Sequence, residues 1–335
     1  MITSIKLKGK GITRIIKSKV ILSPLAGVTD KVFRKFVRKW APNSLLFTEM
    51  INATSLNEGY GTKKIKQLEL ETGPVGVQIF DNRPFAVSEA AKKAEDSGAY
   101  VIDINMGCPV KKIAKKGGGS ALIKDRKLAL ELLKRVIEAV QVPVTVKTRL
   151  GWDNKKENIE DFLLKLQDAG VTMITLHGRT RKQGFSGDAD WEMIGRIKEL
   201  LEIPLIANGD IKNTEDALNC LKTTKADGVM IGRGILGSPW KVGEVDYAIR
   251  EIKGFKEPDT EQKLVLIIDH LEELIREKGD HGLLIARKHI SWTCKNFEGA
   301  TNLRNKLVRA VDAEEVKKLI NKTIDTLNYE KKILS

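Results

Sequence analysis

The sequence has few cysteines and no long apolar run. Its three cysteines, Cys108, Cys220 and Cys294, lie far apart in 335 residues, which excludes a framework of disulfides. No apolar stretch approaches the roughly 18 residues that span a bilayer. The basic N-terminus lacks the apolar core and the small-residue cleavage site of a secretory signal. We therefore expect a protein of the reducing cytoplasm that does not enter a membrane.

Aromatic residues are also scarce. They make up 5% of the chain, so the core must be mostly aliphatic. Hydrophobic residues account for 41% and charged residues for 30%, which is typical of a soluble globular protein. The length suggests two domains of about 150 residues each, and one barrel of about 250 residues is also allowed.

Acidic residues are outnumbered by basic ones, 44 to 58, which gives a net charge of +14. The excess is concentrated in residues 1–40 (eleven basic, one acidic), in KKIAKK at 111–116, and in residues 281–310 (six basic, one acidic). A polyanionic partner such as a nucleic acid would explain this distribution. A lysine-rich composition with solvated faces would explain it equally well, and composition leaves both open.

Short β-branched runs alternate with amphipathic helical patterns between residues 20 and 240. The eight candidate strands cover residues 20–26, 44–50, 74–80, 100–106, 142–150, 171–178, 203–210 and 227–234. Several are apolar without strict alternation, as expected of parallel strands covered on both faces. Eight such units predict a (β/α)8 TIM barrel. The alternative, a doubly wound sheet, rarely needs eight regular units.

Beyond residue 240 the pattern changes to helical repeats only. Four amphipathic segments follow from about residue 258, and Gly254 and Pro258 mark a linker before them. The predicted fold class is therefore α/β: a TIM barrel in residues 1–245, followed by a small C-terminal helical domain in residues 255–335.

Polar residues interrupt the apolar strands, each on a different strand and each at its predicted C-terminal end. They are Gln78, Asn105, Lys147, His177 and Asn208. Neighbouring backbone could satisfy any one of them. In a barrel, however, these strand ends converge on one mouth, so the five together predict a common pocket.

Glycines follow the last two strands, in ANGDI (207–211) and IGRGILG (231–237). Loops at these places often bind phosphate in barrels, and Arg233 would add charge. The sequence has no Ser-His-Asp set, no paired carboxylates at the mouth and no GxGxxG motif. These features predict a phosphorylated cofactor, and they leave flavin mononucleotide (FMN), pyridoxal phosphate and a sugar phosphate open.

Cys108 lies in the longest loop, NMGCPVKKIAKKGGG, after the fourth strand. No second cysteine or histidine stands at ligand spacing, so we expect no metal. The thiol would act as a nucleophile if a histidine base lay near it. It would act as a proton donor if it stays neutral, as its ordinary pKa of about 8.5 favours. Cys220 and Cys294 lie in helical patterns and are assigned to packing.

These segments resemble the tRNA-dihydrouridine synthase family. The similarity runs in order through SPLAGVTD (23–30), DINMGCPVKKIAKKGGGSAL (103–122), VTVKTRLGWD (144–153), TLHGRTRKQGFSGDADW (175–191) and DGVMIGRGILGSPW (227–240). RKHISW (287–292) and LRNKL (303–307) are similar to the helical RNA-binding domain of the bacterial B-type branch. Leu25 departs from the family pattern, in which many members have methionine.

The resemblance implies reduction of the uridine C5–C6 bond in tRNA, with FMN as cofactor and NADPH as electron donor. It implies that Cys108 is the catalytic proton donor. The residues implied to bind the cofactor are Pro24, Leu25, Ala26, Gln78, Lys147, His177, Asn208, Gly209, Asp210, Gly232 and Arg233. Those implied to bind the substrate are Asn105, Arg179, Arg287, Lys288 and Arg304.

The expected partners are therefore tRNA and NAD(P)H, with no obligate protein partner, and the chain is expected to act as a monomer. RNA phosphates would lie on the basic segments 1–40, 111–116 and 281–310. One alternative is another FMN barrel oxidoreductase that acts on a small molecule, dihydroorotate dehydrogenase-like or ene-reductase-like, which leaves the basic excess unexplained. A second is a non-catalytic RNA-binding barrel, which would have lost residues such as Cys108 and Lys147.

Overall fold

Parallel strands close into a barrel that helices surround. The computed structural model describes residues 4–66, 68–153 and 158–334. Its strands are β1 (Ile5–Lys8), β2 (Thr13–Ile16), β3 (Val20–Leu22), β4 (Leu46–Phe47), β5 (Ile51–Asn52), β6 (Val75–Phe80), β7 (Val101–Asn105), β8 (Val144–Arg149), β9 (Ile174–His177), β10 (Leu205–Asn208) and β11 (Gly228–Ile231). Its α-helices are α1 (Lys31–Trp40), α2 (Ala53–Asn57), α3 (Pro84–Asp96), α4 (Lys111–Ala114), α5 (Arg126–Ala139), α6 (Ile159–Asp168), α7 (Trp191–Leu200), α8 (Thr214–Thr224), α9 (Lys241–Ile249), α10 (Thr260–Lys278), α11 (His281–Thr293), α12 (Ala300–Leu307) and α13 (Ala313–Leu334).

The ring consists of β3, β4, β6, β7, β8, β9, β10 and β11, hydrogen-bonded in that order, and it closes where β11 pairs with β3. The register brings the C-terminal strand ends to one level, with Asn105 opposite Lys147 and Asn208 opposite His177. Each ring strand is followed by at least one helix. The predicted (β/α)8 TIM barrel is therefore confirmed.

Each of the eight predicted runs contains one ring strand, usually shorter than the run. The largest difference is in residues 44–50, where only β4 is extended and the chain then bends. At the bend, the Thr48 hydroxyl donates to the Glu49 carbonyl at 2.9 Å. The chain then resumes as β5, which pairs with the end of β6. The bend turns Met50 into the space at the barrel mouth.

Local sequence explains where the surrounding helices begin and end. Asp30, Asn158 and Asp190 each accept a hydrogen bond from a backbone N–H in the first turn of α1, α6 and α7, which satisfies a donor that the helix leaves free. Gly98 and Gly170, just after α3 and α6, have φ of +92° and +100°. Glycine adopts this conformation without strain, as the AEDSG and LQDAG endings predict.

An antiparallel hairpin of β1 and β2, which the sequence did not indicate, covers the N-terminal end of the barrel. Ile5, Leu7 and Ile16 are buried there, in one apolar cluster with residues such as Phe47 and Met230 from the barrel interior. The hairpin therefore seals the end of the barrel that lies opposite the mouth.

The basic residues of segment 1–40 are spread over different parts of the fold, and contact of this segment with RNA stays a prediction. The hairpin carries its lysines at the sealed end of the barrel. On α1, Arg34 is buried and pairs with Glu71, while buried Arg38 donates to the carbonyls of Ser44 and Pro74 at 2.7 and 2.8 Å. These two arginines stabilise loops of the barrel, because burial of a cation requires such partners.

Helices α10 to α13 pack together and against α1, around a second apolar cluster that includes Leu271 and Ile290. Gly237, in the loop after β11, has φ of +75°, and a Cβ there would lie 2.1 Å from the Trp292 carbonyl oxygen. Lys35 on α1 also pairs with Glu273 on α10 at 2.9 Å. The predicted helical region is confirmed, whereas the boundaries at residues 245 and 255 stay a prediction. In the part of the chain that the structure describes, no helix has the length and apolar character to cross a bilayer.

Candidate active site

A cavity of about 740 Å³ lies at the mouth of the barrel. Every strand of the ring contributes to it, through side chains at its C-terminal end or in the loop that follows. Fourteen of the residues proposed from the sequence line it: Pro24, Leu25, Ala26, Gln78, Asn105, Cys108, Lys147, His177, Arg179, Asn208, Gly209, Asp210, Gly232 and Arg233. Their individual roles stay predictions. The common pocket that the strand-end polar residues predicted is present.

The cavity is strongly cationic. Its basic lining residues are Lys147, Arg149, Arg179, Lys212 and Arg233, and its acidic ones are Asp188 and Asp210. Since one of the two carboxylates is already paired with an arginine, the cavity suits a ligand that carries negative charge.

Lys147 projects from β8 and donates from Nζ to Asn208 Oδ1 at 2.9 Å. Asn208 in turn donates to the Met230 carbonyl at 2.8 Å, which fixes its amide. Burial, followed by the nearby charge of Arg149, lowers the pKa of Lys147 to about 8. Burial disfavours the charged form of an amine, but with a pKa of about 8 the Lys147 amine is still mostly protonated at pH 7.

Cys108 sits in the loop after β7, and Asn105 sets the path of that loop. Asn105 Oδ1 accepts from the backbone N–H of Gly107 at 3.1 Å and of Cys108 at 2.9 Å. Burial raises the pKa of the thiol, so Cys108 is protonated at neutral pH. Gly119 has φ of +58°, and a Cβ there would lie 3.0 Å from the Cys108 Cβ. The glycine-rich segment thus allows the loop to fold back over the cysteine.

Arg179, which is buried, pairs with the half-buried Asp210 at 2.5 Å. Asp210 Oδ2 also accepts from the Ala189 N–H at 2.7 Å, and Arg179 donates to the carbonyls of Ser186 and Gly187. Both side chains thereby hold the loop after β9 in place. Burial and the charges of neighbouring cations lower the pKa of His177, which keeps its imidazole neutral.

Two further lining residues were not singled out from the sequence. Arg149 donates to the Gly107 carbonyl at 2.8 Å and the Gly184 carbonyl at 2.9 Å, and so joins the loops after β7 and β9. The ring of Phe185 lies against both Arg149 and Arg233, with centroid distances of 5.6 and 4.2 Å. Nothing in the strand pattern marks Phe185, because only the folded loop brings it to the rim.

A polar layer beneath the cavity was also missed, although the sequence contains a signal for it. Asp103 and Thr145 lie two residues before Asn105 and Lys147 on their strands. Residues two apart point to the same side of a strand. A second polar residue at that spacing therefore predicts that both project into the barrel, and the Thr145 hydroxyl does donate to Asp103 at 2.7 Å.

The remaining predicted residues lie outside the cavity. Lys288 on α11 donates to the Gly27 carbonyl, next to the loop that lines the mouth. Arg287 and Arg304 are half-buried and donate to the carbonyls of Ala310 and Cys294 at 3.3 and 3.4 Å. Both arginines therefore tie helices of the C-terminal region together. Contact of these three residues with RNA stays a prediction.

Four lysines on and just after α4 are exposed beside the mouth: Lys111, Lys112, Lys115 and Lys116. They follow Cys108 within eight residues. The loop after β7 lies on the side of the ring opposite β3 and β11. The loops that follow β3 and β11 contact α11, through Gly27 and Gly237. Basic groups therefore border the mouth on opposite sides.

A closed barrel with a cationic cavity at its C-terminal mouth defines the class as a (β/α)8-barrel enzyme. Within that class, the chain belongs to the dihydrouridine synthase family, which it matches over residues 21–328. The resemblance drawn from the motifs is thereby confirmed.

Among its relatives is a probable tRNA-dihydrouridine synthase 1 from Synechocystis sp., 48% identical over 93% of this chain and 88% of the relative. A tRNA-dihydrouridine synthase B from Vibrio parahaemolyticus is 37% identical over 89% of this chain and 92% of the relative. Among solved structures, morphinone reductase has a TM-score of 0.52 at 14% identity, over 77% of this chain and 93% of that one. Histamine dehydrogenase from Rhizobium sp. 4-9 has a TM-score of 0.56 at 13% identity, over 81% and 51%. At this identity the two structures share the fold alone.

Proposed function

We propose that this chain reduces the C5–C6 bond of uridine in tRNA to 5,6-dihydrouridine, with FMN as cofactor and NAD(P)H as reductant. The observation that carries the proposal is that the Cys108 thiol and the Lys147 amine line one cavity at the mouth of the barrel. Family membership gives the reaction class, and the names of the relatives give tRNA as the substrate. We further propose that the chain works as a monomer in the cytoplasm.

The residues present fit FMN. A phosphate suits the cationic rim, where Gly232 and Arg233 follow β11. Gly209 brings the backbone close to the floor: a Cβ there would lie 2.9 Å from the His177 ring. Gln78 offers an amide to the ring system, and Pro24, Leu25 and Ala26 offer a mostly apolar wall.

The chemistry divides between the cofactor and the chain. When bound, FMN supplies hydride chemistry that the side chains lack. Lys147 would hold the bound ring system by a fixed positive charge, which favours negative charge on that ring. Asn105 would position the uracil, and the Cys108 Sγ–H would give its proton to C5, which leaves a thiolate that takes a proton back from water. The electron pair and the other hydrogen would come from NAD(P)H by way of the cofactor. General acid catalysis of this kind contributes about 10²- to 10⁴-fold to a rate.

The RNA must deliver a base that is normally stacked, so it needs attachment on both sides of the mouth. The exposed lysines at 111–116 supply one basic edge, and Lys288 lies on the other. These groups would hold phosphates by charge, and binding would weaken steeply as salt rises.

The test uses purified full-length protein, FMN, NADPH and an unmodified tRNA transcript. Nucleoside mass spectrometry should show dihydrouridine, which carries two more hydrogens than uridine, at defined positions. Protein that stays colourless when offered FMN would contradict the proposal. So would protein that oxidises NADPH with a small unsaturated carbonyl compound yet leaves tRNA unchanged and unbound at low salt, which is the outcome that the small-molecule alternative requires.

A further inference from the structure

Asp103 is a buried carboxylate that the proposed chemistry does not use. It lies on β7 inside the barrel, is 1% exposed, and sits one layer below the cavity. Its Oδ1 accepts from the Thr145 hydroxyl and its Oδ2 from Gln78 Nε2, both at 2.7 Å. Burying a carboxylate is costly unless hydrogen bonds compensate, so this placement calls for an explanation.

Gln78 and Asn105 continue from Asp103 as a chain of hydrogen bonds towards the cysteine. Asn105 Nδ2 donates to Gln78 Oε1 at 2.7 Å. Asn105 Oδ1 accepts the backbone N–H of Cys108 at 2.9 Å. The chain thus runs from a buried carboxylate, through two amides that line the cavity, to the loop that carries the thiol.

We propose that Asp103 is a positioning residue: its carboxylate fixes the Gln78 amide from one end, as the backbone N–H groups of Gly107 and Cys108 fix Asn105 from the other, so that both amides present N–H groups to the cavity. The inference rests on the proposed function, because these two amides are the ones assigned to flavin and uracil. Asp103 would act through Gln78 and Asn105 and would touch neither the flavin nor the uracil.

The direction follows from which groups can donate. An ionised carboxylate only accepts, so Gln78 must turn its NH2 towards Asp103 and its oxygen towards Asn105. A backbone N–H only donates, so Asn105 must turn its oxygen towards Cys108. Gln78 is left with one N–H that these hydrogen bonds do not use, and the second N–H of Asn105 meets only the weak acceptor Met50 Sδ at 3.8 Å. These donors match the carbonyl oxygens of a flavin or a uracil.

The carboxylate is ionised where the protein would work. Burial raises the pKa of Asp103 to about 6, although hydrogen bonds from Gln78 and Thr145 and the charge of Lys147 act in the other direction. At pH 7 and above, Asp103 is therefore mostly ionised and acts mainly as an acceptor. An asparagine at position 103 has the same shape but can donate or accept. It would therefore accept either the nitrogen or the oxygen of the Gln78 amide as its neighbour.

The experiment compares wild type with D103N, with T145V and with the exchange Q78E/D103N. FMN dissociation constants are measured without tRNA, and the rate of uridine reduction is measured in a single turnover with pre-reduced enzyme. D103N should weaken FMN binding and slow uridine reduction by about 10-fold each, the usual effect of losing a hydrogen bond to a charged group. T145V keeps the carboxylate and its bond to Gln78, so both quantities should stay within about 3-fold of wild type.

The exchange variant separates direction from general damage. It moves the carboxylate to position 78, where it accepts from Asn105 on one side and from the new amide at position 103 on the other. The Asn105 N–H thereby gains a charged acceptor that holds its amide in place, but position 78 offers no N–H to the cavity. Uridine reduction should return to within about 3-fold of wild type, while FMN binding stays weak. A merely structural role predicts instead that the double variant is at least as impaired as D103N in both measurements.

Three results would overturn the inference: D103N equal to wild type in both measurements, an exchange variant as slow as D103N in uridine reduction, or failure of both variants to fold while T145V folds. If D103N alone does not fold, the exchange variant decides by its rate. Wild-type protein that binds FMN but leaves uridine unreduced would contradict the proposed function only. An active wild type with an unaltered D103N would contradict the inference only.

Discussion

The two ends of the barrel both carry exposed lysines but differ in what fills the space between the strands. At the end covered by the hairpin, Ile5, Leu7 and Ile16 close the interior with aliphatic side chains. At the mouth, polar side chains surround a cavity of about 740 Å³. Lysines occur beside both, at Lys6 on the hairpin and Lys111 on α4. Charge alone therefore does not identify the functional end, whereas the unfilled polar interior does.

The comparison also separates stability from activity. The sealed end buries apolar surface, which is the main favourable contribution to folding. At the mouth, each buried polar group needs a partner, as Lys147 has in Asn208 and Arg179 has in Asp210. Substitutions at the mouth should therefore affect the reaction first, and those at the sealed end should affect the fold first.

The largest effect on uridine reduction is expected from Cys108→Ala. Removing the only proposed proton donor should lower the single-turnover rate by about 10³-fold, the middle of the range for a general acid. FMN and tRNA binding should be unchanged. Cys220→Ala is the matched control, because that thiol is fully buried on α8. A Cys108→Ala enzyme with wild-type turnover would show that the proton comes from elsewhere.

Lys147→Met should slow flavin reduction by NADPH by about 10²-fold, since a fixed charge that stabilises the developing anion is lost. The pKa of Lys147 is about 8, so wild-type protein loses the ammonium as pH rises through 8, and the rate should fall above that pH. The variant should lack this fall. Stopped-flow absorbance between pH 6 and 10 measures both, and Lys182→Met on an exposed loop position serves as the control. Identical pH profiles for the variant and wild type would remove Lys147 from the reductive step.

The next variant replaces four lysines beside the mouth with glutamine: Lys111, Lys112, Lys115 and Lys116. Its tRNA binding should be about 10-fold weaker than that of wild type, and the slope of log Kd against log salt should fall by up to about 3. Flavin reduction by NADPH should not change, because these side chains are exposed outside the cavity. Filter binding at several salt concentrations provides the measurement.

The control removes the same charge at the other end of the molecule, through glutamine at Lys6, Lys8, Lys10 and Lys17. These residues are exposed on or next to the hairpin, so tRNA binding should change by less than about 2-fold apart from long-range effects of net charge. Equal losses in the two quadruple variants would show that net charge, rather than the edge of the mouth, holds the RNA.

The smallest effect on activity, and a large one on stability, is expected from Leu7→Ala at the sealed end. The side chain is fully buried, and its truncation should lower the free energy of unfolding by about 2–5 kcal/mol. Turnover per folded molecule should stay at the wild-type value. Urea denaturation and active-site titration test this, and a folded but slow variant would contradict the division between the two ends.

The strand pattern predicted more of the fold and site than the charge pattern did. All eight ring strands lie within the predicted runs, and the strand-end residues Gln78 and Lys147 meet in one cavity. Apolar periodicity succeeds because it reflects burial directly. The charge pattern of segment 1–40 did not show that Arg34 and Arg38 are buried, with partners at Glu71 and Pro74. The hairpin was missed because the lysines that alternate with apolar residues in β1 were interpreted as a basic surface rather than as the exposed face of a strand.

The sequence by itself determined the barrel, the helical region after it and the motif that places a cysteine at the mouth, because each is written in local periodicity or in a contiguous run of residues. Only the tertiary structure decided that Arg179 holds Asp210, that Phe185 meets Arg149, and that Asp103 lies beneath Gln78. These contacts join residues from different strands and loops. Their geometry depends on closure of the ring, which no single segment encodes.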